Sequence, residues 1–428
     1  MNQDNAWALS LDAVLLLVLG TAHLWFNPIS SALTITLMAG YVLLNWLAPK
    51  MPDEMPAPRA RDRAAFSIRL FIVLFVLMLA AVPPTMWNIA QRHAEGGGTH
   101  ANDGVFQTEM AMEYILEGKN PYVETYWNTP MADWQRGEPP WTDSPIYHNA
   151  YLPFLFIGSI PFYWLSQAIL GWYDQRFIYL LLYVGILFLL PRIVEKQRDR
   201  LIMLLAFGLN LLATFFLSEG RNDIVVTFGL LLATVLLVRR HISASSLVLG
   251  LTLAVKHQAW FFLPFYFVYL LPRPMSWQSL RVALRQILPM FIAVTVMIAP
   301  FLIWDARAFI DDTVLYLMGA TEHSFPIKGW GFSTLLLAFG GVPSAEAQFP
   351  FGVLEVGFGI PTLILLLRWQ RRANTLRQVW IGFAVLSFVV EYFSRFFNDN
   401  YVIFVLQALV IGALMSPYRW QTEPSDAR

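Results

Sequence analysis

Apolar runs of about 20 residues, the length an α-helix needs to cross a bilayer, recur along almost the whole chain. They fall near 6–25, 31–48, 68–88, 148–170, 176–191 and 201–218, then near 223–239, 247–271, 286–304, 349–368, 378–394 and 399–416. The pattern predicts an all-α, polytopic membrane helix bundle of about 10–13 membrane segments. The first run is expected to stay on the chain, because nothing basic precedes it and no small-residue cleavage site follows. Residues 1–66 read as a two-helix hairpin and its proline- and charge-rich linker, 67–417 as the main bundle and 418–428 as a tail. No internal repeat stands out.

Arginine and lysine sort the ends of these runs. They cluster at 50–69, 192–200, Arg239–Arg240, 273–285, 368–377 and in the tail, all of which the positive-inside rule assigns to the cytoplasm. Loop 89–147, the link 219–223, loop 305–330 and the stretch 391–399 then lie outside. Two runs break the count. Run 247–271 is basic at both ends, so it is expected to enter and leave on one side as two half-length pieces meeting near Lys256-His257-Gln258. Run 148–170, with Pro153 and Pro161, is expected to be re-entrant or to lie in the outer leaflet. Broken helices of this kind occur where they are buried in protein or line a cavity.

Composition narrows the class. The 428 residues are 57% hydrophobic and only 14% charged, against about a quarter charged in soluble domains. That excludes an ordinary soluble domain and a disordered chain. Charges balance at 29 against 29, so no basic field is available for nucleic acid. The absence of cysteine removes disulfides, thiol catalysis and cysteine metal sites.

The candidate chemistry lies in the outer segments. Loop 89–147 holds nine acids against Arg92, Lys119 and Arg136. Within it, 104–117 has helical spacing, with Glu109, Glu113 and Glu117 on one face and Phe106, Met110 and Tyr114 on another. Such a helix is expected to lie on the outer membrane surface, apolar face down. Asp103 at its start reads either as an N-cap or as a carboxylate base. Glu219-Gly220-Arg221-Asn222-Asp223 is either a polar turn or a functional cluster. Lys256 sits deep in an apolar run and needs a partner or a water-filled cavity. Arg395, among aromatics, is an interfacial anchor or an anion ligand, and His148 an interfacial histidine or a substrate contact. Trp127, Trp134 and Trp141 offer either sugar-stacking faces or interfacial anchors. An acidic loop facing Arg221, Lys256 and Arg395 suits an anionic head group held beside a carboxylate that moves a proton.

Asp103-Gly104, the short helix after it and Glu117-Gly118-Lys119-Asn120-Pro121-Tyr122 resemble the first outer loop of GT-C superfamily glycosyltransferases. The likeness is greatest to the polyprenyl-phosphate-mannose-dependent mannosyltransferase branch. Tyr151-Leu152-Pro153, Gly220-Arg221-Asn222-Asp223 and Gly250-Leu251 through Lys256 to Phe262-Leu263-Pro264-Phe265 also resemble that family, as does Arg395 to Tyr401. The similarity covers roughly 68–416. Three departures stand out: the hairpin 6–48 is extra, no second acid accompanies Asp103, and Gly329-Trp330-Gly331-Phe332-Ser333 replaces an Asn-Ser or His-rich element.

The resemblance implies a multi-pass enzyme of a bacterial cytoplasmic membrane with its site on the outer face. It would move a monosaccharide, mannose by default, from a polyprenyl-phosphate donor to a lipid-linked, glycan or protein acceptor, with inversion. Asp103 would be the general base. Lys256, Arg395 and Arg221 would hold the donor phosphate, and Asp223, Asn222, His148, Gln258 and Tyr122 would contact substrate. No cofactor is implied, since one acid stands alone at the centre and neither a P-loop nor a zinc motif is present; a carboxylate-bound Mg²⁺ is the alternative. The rival readings are a lipid-linked sugar transporter or flippase, a polymerase or ligase of whole lipid-linked glycans, and a non-catalytic subunit of an envelope-glycan assembly complex.

Overall fold

In the computed structural model, which describes residues 9–24, 27–48, 51, 59–134, 145–271 and 276–419, the apolar runs are helices. Helices α1 (Leu11–Thr21) and α2 (Pro28–Leu47) form the N-terminal hairpin. Asn27 caps α2 by accepting from the Ile29 and Ser30 N–H groups, and Pro28 takes the first turn, where its missing N–H costs nothing. Then follow α3 (Ala60–Glu95), α4 (Asp103–Leu116), the pair α5 (Phe154–Ile157) and α6 (Ile160–Leu170), and α7 (Arg176–Leu189). Next are α8 (Gln197–Gly208), α9 (Leu211–Glu219), α10 (Asp223–Val238), α11 (Ile242–Leu253) and α12 (Leu263–Leu270). The chain continues through α13 (Trp277–Ile310), α14 (Tyr316–Met318), α15 (Phe332–Ala338), α16 (Phe351–Ala373), α17 (Leu376–Tyr392) and α18 (Asp399–Leu414).

Among the described residues, five segments are long and apolar enough to cross a membrane: Pro28–Leu47, Ala60–Glu95, Arg176–Ile193, Trp277–Met318 and Phe351–Ala373. The pair α8 and α9, bent by 53°, makes a sixth if taken as one. Several of the remaining apolar runs form helices of under 18 residues rather than full-length spans.

Helix ends gather at two poles. At the first, the Ser416 N–H donates to Ile193 O, Arg377 to Met415 O, and the Asn374 amide to Val268 and Tyr269 O. Arg239 lies within electrostatic reach of Arg192 there, so the described basic clusters at 192–200, 239–240 and 368–377 share this pole. At the second, the Asn102 N–H donates to Glu219 O, and the Leu152 and Phe154 N–H groups to Val255 and Ala254 O. Strand β1 (Lys328–Gly329) pairs in parallel with β2 (Phe396–Phe397) at this pole. The loops expected on one side of a membrane are therefore brought together in space.

Both irregular runs behave as their charge pattern required. Run 247–271 breaks after Leu253, passes through extended Lys256 and a 3₁₀ turn at His257–Phe262, and returns as α12 to the basic pole. The α5–α6 pair starts beside Ala254 and ends at Gly171, just before Asp174 pairs with Arg92, so both its ends stay at the second pole. Helix α6 buries none of its side chains.

The expectation for α4 needs correction. Every residue from Gly104 to Met112 is buried, whereas Glu113 to Ile115 are half-buried and Leu116 is exposed, so the first part of the helix lies inside the protein instead of on a surface. Phe106, Met110, Ala111 and Met112 pack into apolar clusters there, and Glu109 is accommodated because its carboxylate is held by two Arg92 nitrogens at 3.0 and 2.6 Å and by the Gln175 N–H at 2.8 Å. A buried charge is tolerated when paired and hydrogen-bonded.

Candidate active site

A cavity of about 430 Å³ opens at the second pole, walled by the start of α4, the 219–223 link, the break before α12, loop 316–330 and the α17–α18 connection. Asp103, Arg221, Asn222, Lys256, Gln258 and Arg395 all line it. These residues are drawn from four regions far apart in sequence.

Asp103 is the first helical residue of α4, while Asn102 serves as the N-cap, accepting from the Gly104 N–H at 3.2 Å. The capping role is thereby filled by the neighbour. The half-buried Asp103 carboxylate lines the cavity, with one oxygen 2.9 Å from the Gly104 N–H. Tyr151, Tyr401 and Arg221 lie within its electrostatic reach. Gly104 is needed beside it, because a Cβ there would come 2.7 Å from the Tyr151 hydroxyl and 3.3 Å from Asn222 Nδ2.

Lys256 has found the partner its position demanded. Its ammonium donates to Asp223 Oδ1 at 2.7 Å and Asn222 Oδ1 at 3.1 Å, and it lies 4.7 Å from the Tyr401 ring centre. The Asn400 amide donates to the other Asp223 oxygen. Asp223 is thus the counter-ion that orients Lys256. Arg221 is less committed, its nearest carboxylate being Glu219 at 3.5 Å. Burial works against its charge, but Asp103, Glu219, Asp399 and Asp223 together hold its guanidinium above its ordinary pKa.

Arg395 is placed differently from the expected phosphate ligand. Although it lines the cavity, its guanidinium donates to the backbone carbonyls of Phe325, Ala347 and Ala345. Gly319, with φ +80°, leaves it room, since a Cβ there would meet Nη1 at 2.4 Å. Arg395 therefore ties loop 319–347 to the α17–α18 connection, and burial lowers its pKa.

Three expected substrate contacts lie away from the cavity lining: Asp223, which is engaged by Lys256 and Asn400, and Tyr122 and His148. Tyr122 is buried edge-on against Phe156, Phe301 and Phe309 and donates to Tyr151 O at 2.8 Å. It packs the junction of α4, α5 and α13. His148 pairs with Asp312 at 2.7 Å and with Glu322 O at 3.0 Å. Burial pushes its imidazole down, but the Asp312 hydrogen bond and charge outweigh that and hold it above its ordinary value. Trp127 and Trp134 pack against Tyr147 and Ala101 O respectively; Trp141 lies outside the described residues.

Sequence reasoning gave no role to Glu391, Glu355 and Asn400, although Glu391 and Asn400 bound its last outer cluster; all three line the same cavity. A signal existed for the first two. Each is the one acid in an apolar run, 378–394 and 349–368, and such a residue is a functional candidate by default. Asn400 carried no comparable signal.

No protein-family model, curated protein or solved structure matches the chain, so the function is read from the chemistry of this cavity.

Proposed function

We propose that the chain is a multi-pass membrane glycosyltransferase that moves a monosaccharide from a polyprenyl-phosphate donor to a hydroxyl-bearing acceptor. The observation that carries the proposal is the joint placement of the Asp103 carboxylate with Arg221 and Lys256 around one cavity, at the pole opposite the basic loops. In this reading the basic pole is cytoplasmic, the cavity faces outward, and the lipid chain of the donor stays in the bilayer.

Asp103 takes the acceptor hydroxyl proton as the oxygen attacks the anomeric carbon. The new carbon–oxygen bond forms as the bond to the phosphate oxygen breaks, and the electron pair leaves with the phosphate. Attack from the face opposite the phosphate inverts the anomeric configuration. Charge grows on the leaving phosphate, where preorganised cations have their greatest effect. Arg221 is the main phosphate contact because its donors are the least committed. Lys256 adds a fixed positive charge oriented by Asp223. Arg395 shapes the cavity by holding loop 319–347. The step requires no metal, since proton transfer and charge stabilisation are both assigned to side chains.

The test is reconstitution of the full chain in liposomes with polyprenyl-phosphate sugars, measuring released polyprenyl phosphate. Release that depends on Asp103 supports the proposal. Undiminished release from Asp103→Ala removes Asp103 as base, and movement of intact donor between leaflets without release turns the assignment to a flippase.

A further inference from the structure

The cavity wall around Glu391 is left unused by the transfer step. Glu391 and Gln258 are each only 6% exposed. The Glu391 carboxylate and the Gln258 amide lie within hydrogen-bonding reach of each other, and beyond that contact neither side chain has a hydrogen-bond partner. Asn222 and Asn400, also buried, each use one end of the amide to orient the Lys256–Asp223 pair. Their other ends, Asn222 Nδ2 and Asn400 Oδ1, have no hydrogen-bond partner. Buried polar groups in native proteins are almost always paired. Here several unpaired ones border a single cavity.

The kinds of atom left open identify the ligand chemistry. Glu391, Gln258 Oε1 and Asn400 Oδ1 accept hydrogen bonds, whereas Gln258 Nε2 and Asn222 Nδ2 donate them. A phosphate would be served by donors alone and would leave the acceptors among these atoms unpaired. Hydroxyl groups both donate and accept, so neighbouring hydroxyls on a ring satisfy both classes together. Trp330, 73% exposed and on the same lining, supplies an aromatic surface at the cavity edge.

We propose that Glu391, Gln258, Asn222 and Asn400 form a subsite that grips the hydroxyls of the transferred sugar and determines which sugar is accepted. This rests on the reading of the cavity as a sugar-transfer site. Glu391 and Gln258 are the specificity-determining pair, because Asn222 and Asn400 are half engaged with Asp223 and Lys256. A site built to bond a hydroxyl discriminates strongly against an analogue that lacks it, because its polar groups are then stranded.

The experiment uses the full chain in detergent micelles with two readouts. Saturation-transfer NMR with methyl pyranosides of mannose, glucose, galactose, xylose and N-acetylglucosamine reads binding without turnover. Release of polyprenyl phosphate from short-chain donors carrying those sugars, and their singly deoxygenated forms, reads specificity. The expected result is selective binding of one glycoside, weakened about tenfold or more by Glu391→Gln and by Gln258→Ala. Turnover of the preferred donor should fall by a similar factor, while one deoxy donor is processed almost equally by wild type and Glu391→Gln.

Glu391→Gln is nearly isosteric, and Gln258→Ala removes the partner without placing a new group, so misfolding of one variant leaves the other to decide. Equal losses on parent and all deoxy donors overturn the subsite, as does an absence of glycoside binding or binding indifferent to both substitutions. The two proposals fail separately. Glu391-dependent glycoside binding without release of polyprenyl phosphate keeps the subsite and removes the transferase. Release that ignores Glu391 and Gln258 keeps the transferase and removes the subsite.

Discussion

Arg92, Glu109, Asp174 and Arg176 form one buried charge cluster at the second pole, and Asp103, Arg221, Lys256 and Asp223 form another beside it. Gly220 is where they meet: with φ +90°, a Cβ on it would strike Val105 at 2.2 Å and crowd Arg176 at 3.1 Å. The first cluster is closed. Arg92 bonds Glu109 and Asp174, Arg176 bonds Asp174 at 2.8 and 2.7 Å, and its remaining donors go to the carbonyls of His100, Ser218 and Asn88. The second is open, with a half-buried carboxylate, a loosely held guanidinium and unpaired amide atoms around a cavity. Charge in an apolar chain is costly in either place. The two differ in whether the protein itself completes the hydrogen bonds, and that separates architecture from chemistry more sharply than burial does.

The largest expected effect comes from opening the closed cluster. Removing one partner of a buried pair strands the other, at about 3–5 kcal/mol. Arg176→Ala should therefore lower the melting temperature and the yield of folded protein, with any lost activity following the folded fraction. A variant that melts like the wild type would show that the cluster is not structural. Asp103→Asn should do the reverse. Loss of a general base costs about 10²–10⁴ in rate, and the melting temperature should hold, because the N-cap is Asn102. A stability loss as large as that of Arg176→Ala would place Asp103 in the architecture.

A smaller effect distinguishes two arginines that looked alike in the sequence. Arg221→Gln should raise KM for a polyprenyl-phosphate donor about ten- to a hundredfold, the scale of one charge-assisted hydrogen bond, with little change in melting. Arg395→Gln should show the opposite balance, since its donors hold backbone carbonyls. Donor affinity and thermal melts on both variants settle the contrast, and equal KM effects would return Arg395 to the phosphate.

The uneven legibility of the site has a physical basis. The break at Lys256 could be read because basic residues at both ends of one apolar run admit only a return to the same side. Asp103 could be read because an acid next to glycine before a helix is a local pattern. The closed cluster could not. Glu109 is paired with Arg92, 17 positions away, and accepts from the Gln175 N–H, 66 positions away, and nothing in a helical wheel distinguishes a solvated glutamate from one with a distant arginine. Tyr122 shows the same limit. Its Asn-Pro-Tyr context marked it as notable, but only the rings of Phe301 and Phe309 around it explain why. Long-range pairing decides which polar residues are left over for a ligand, and periodicity carries no information about it.

The smallest effect concerns how the open region is fastened. The closed cluster is pinned by arginines, which stay charged at any working pH. Loop 312–325 is instead tied to loop 145–151 by His148, which bonds Asp312 and Glu322 O, with Asn149 N–H donating to the second Asp312 oxygen at 2.7 Å. Because the folded protein raises the His148 pKa above its ordinary 6.5, the stability gained by charging His148 is fully present at pH 6.5. It fades as pH rises through the raised value. Melting temperature should therefore fall by about 1–2 °C between pH 6.5 and 8.5 in the wild type and stay flatter in His148→Gln. Parallel pH curves for wild type and His148→Gln would show that this fastening does not titrate, and that the open region is held as permanently as the closed one.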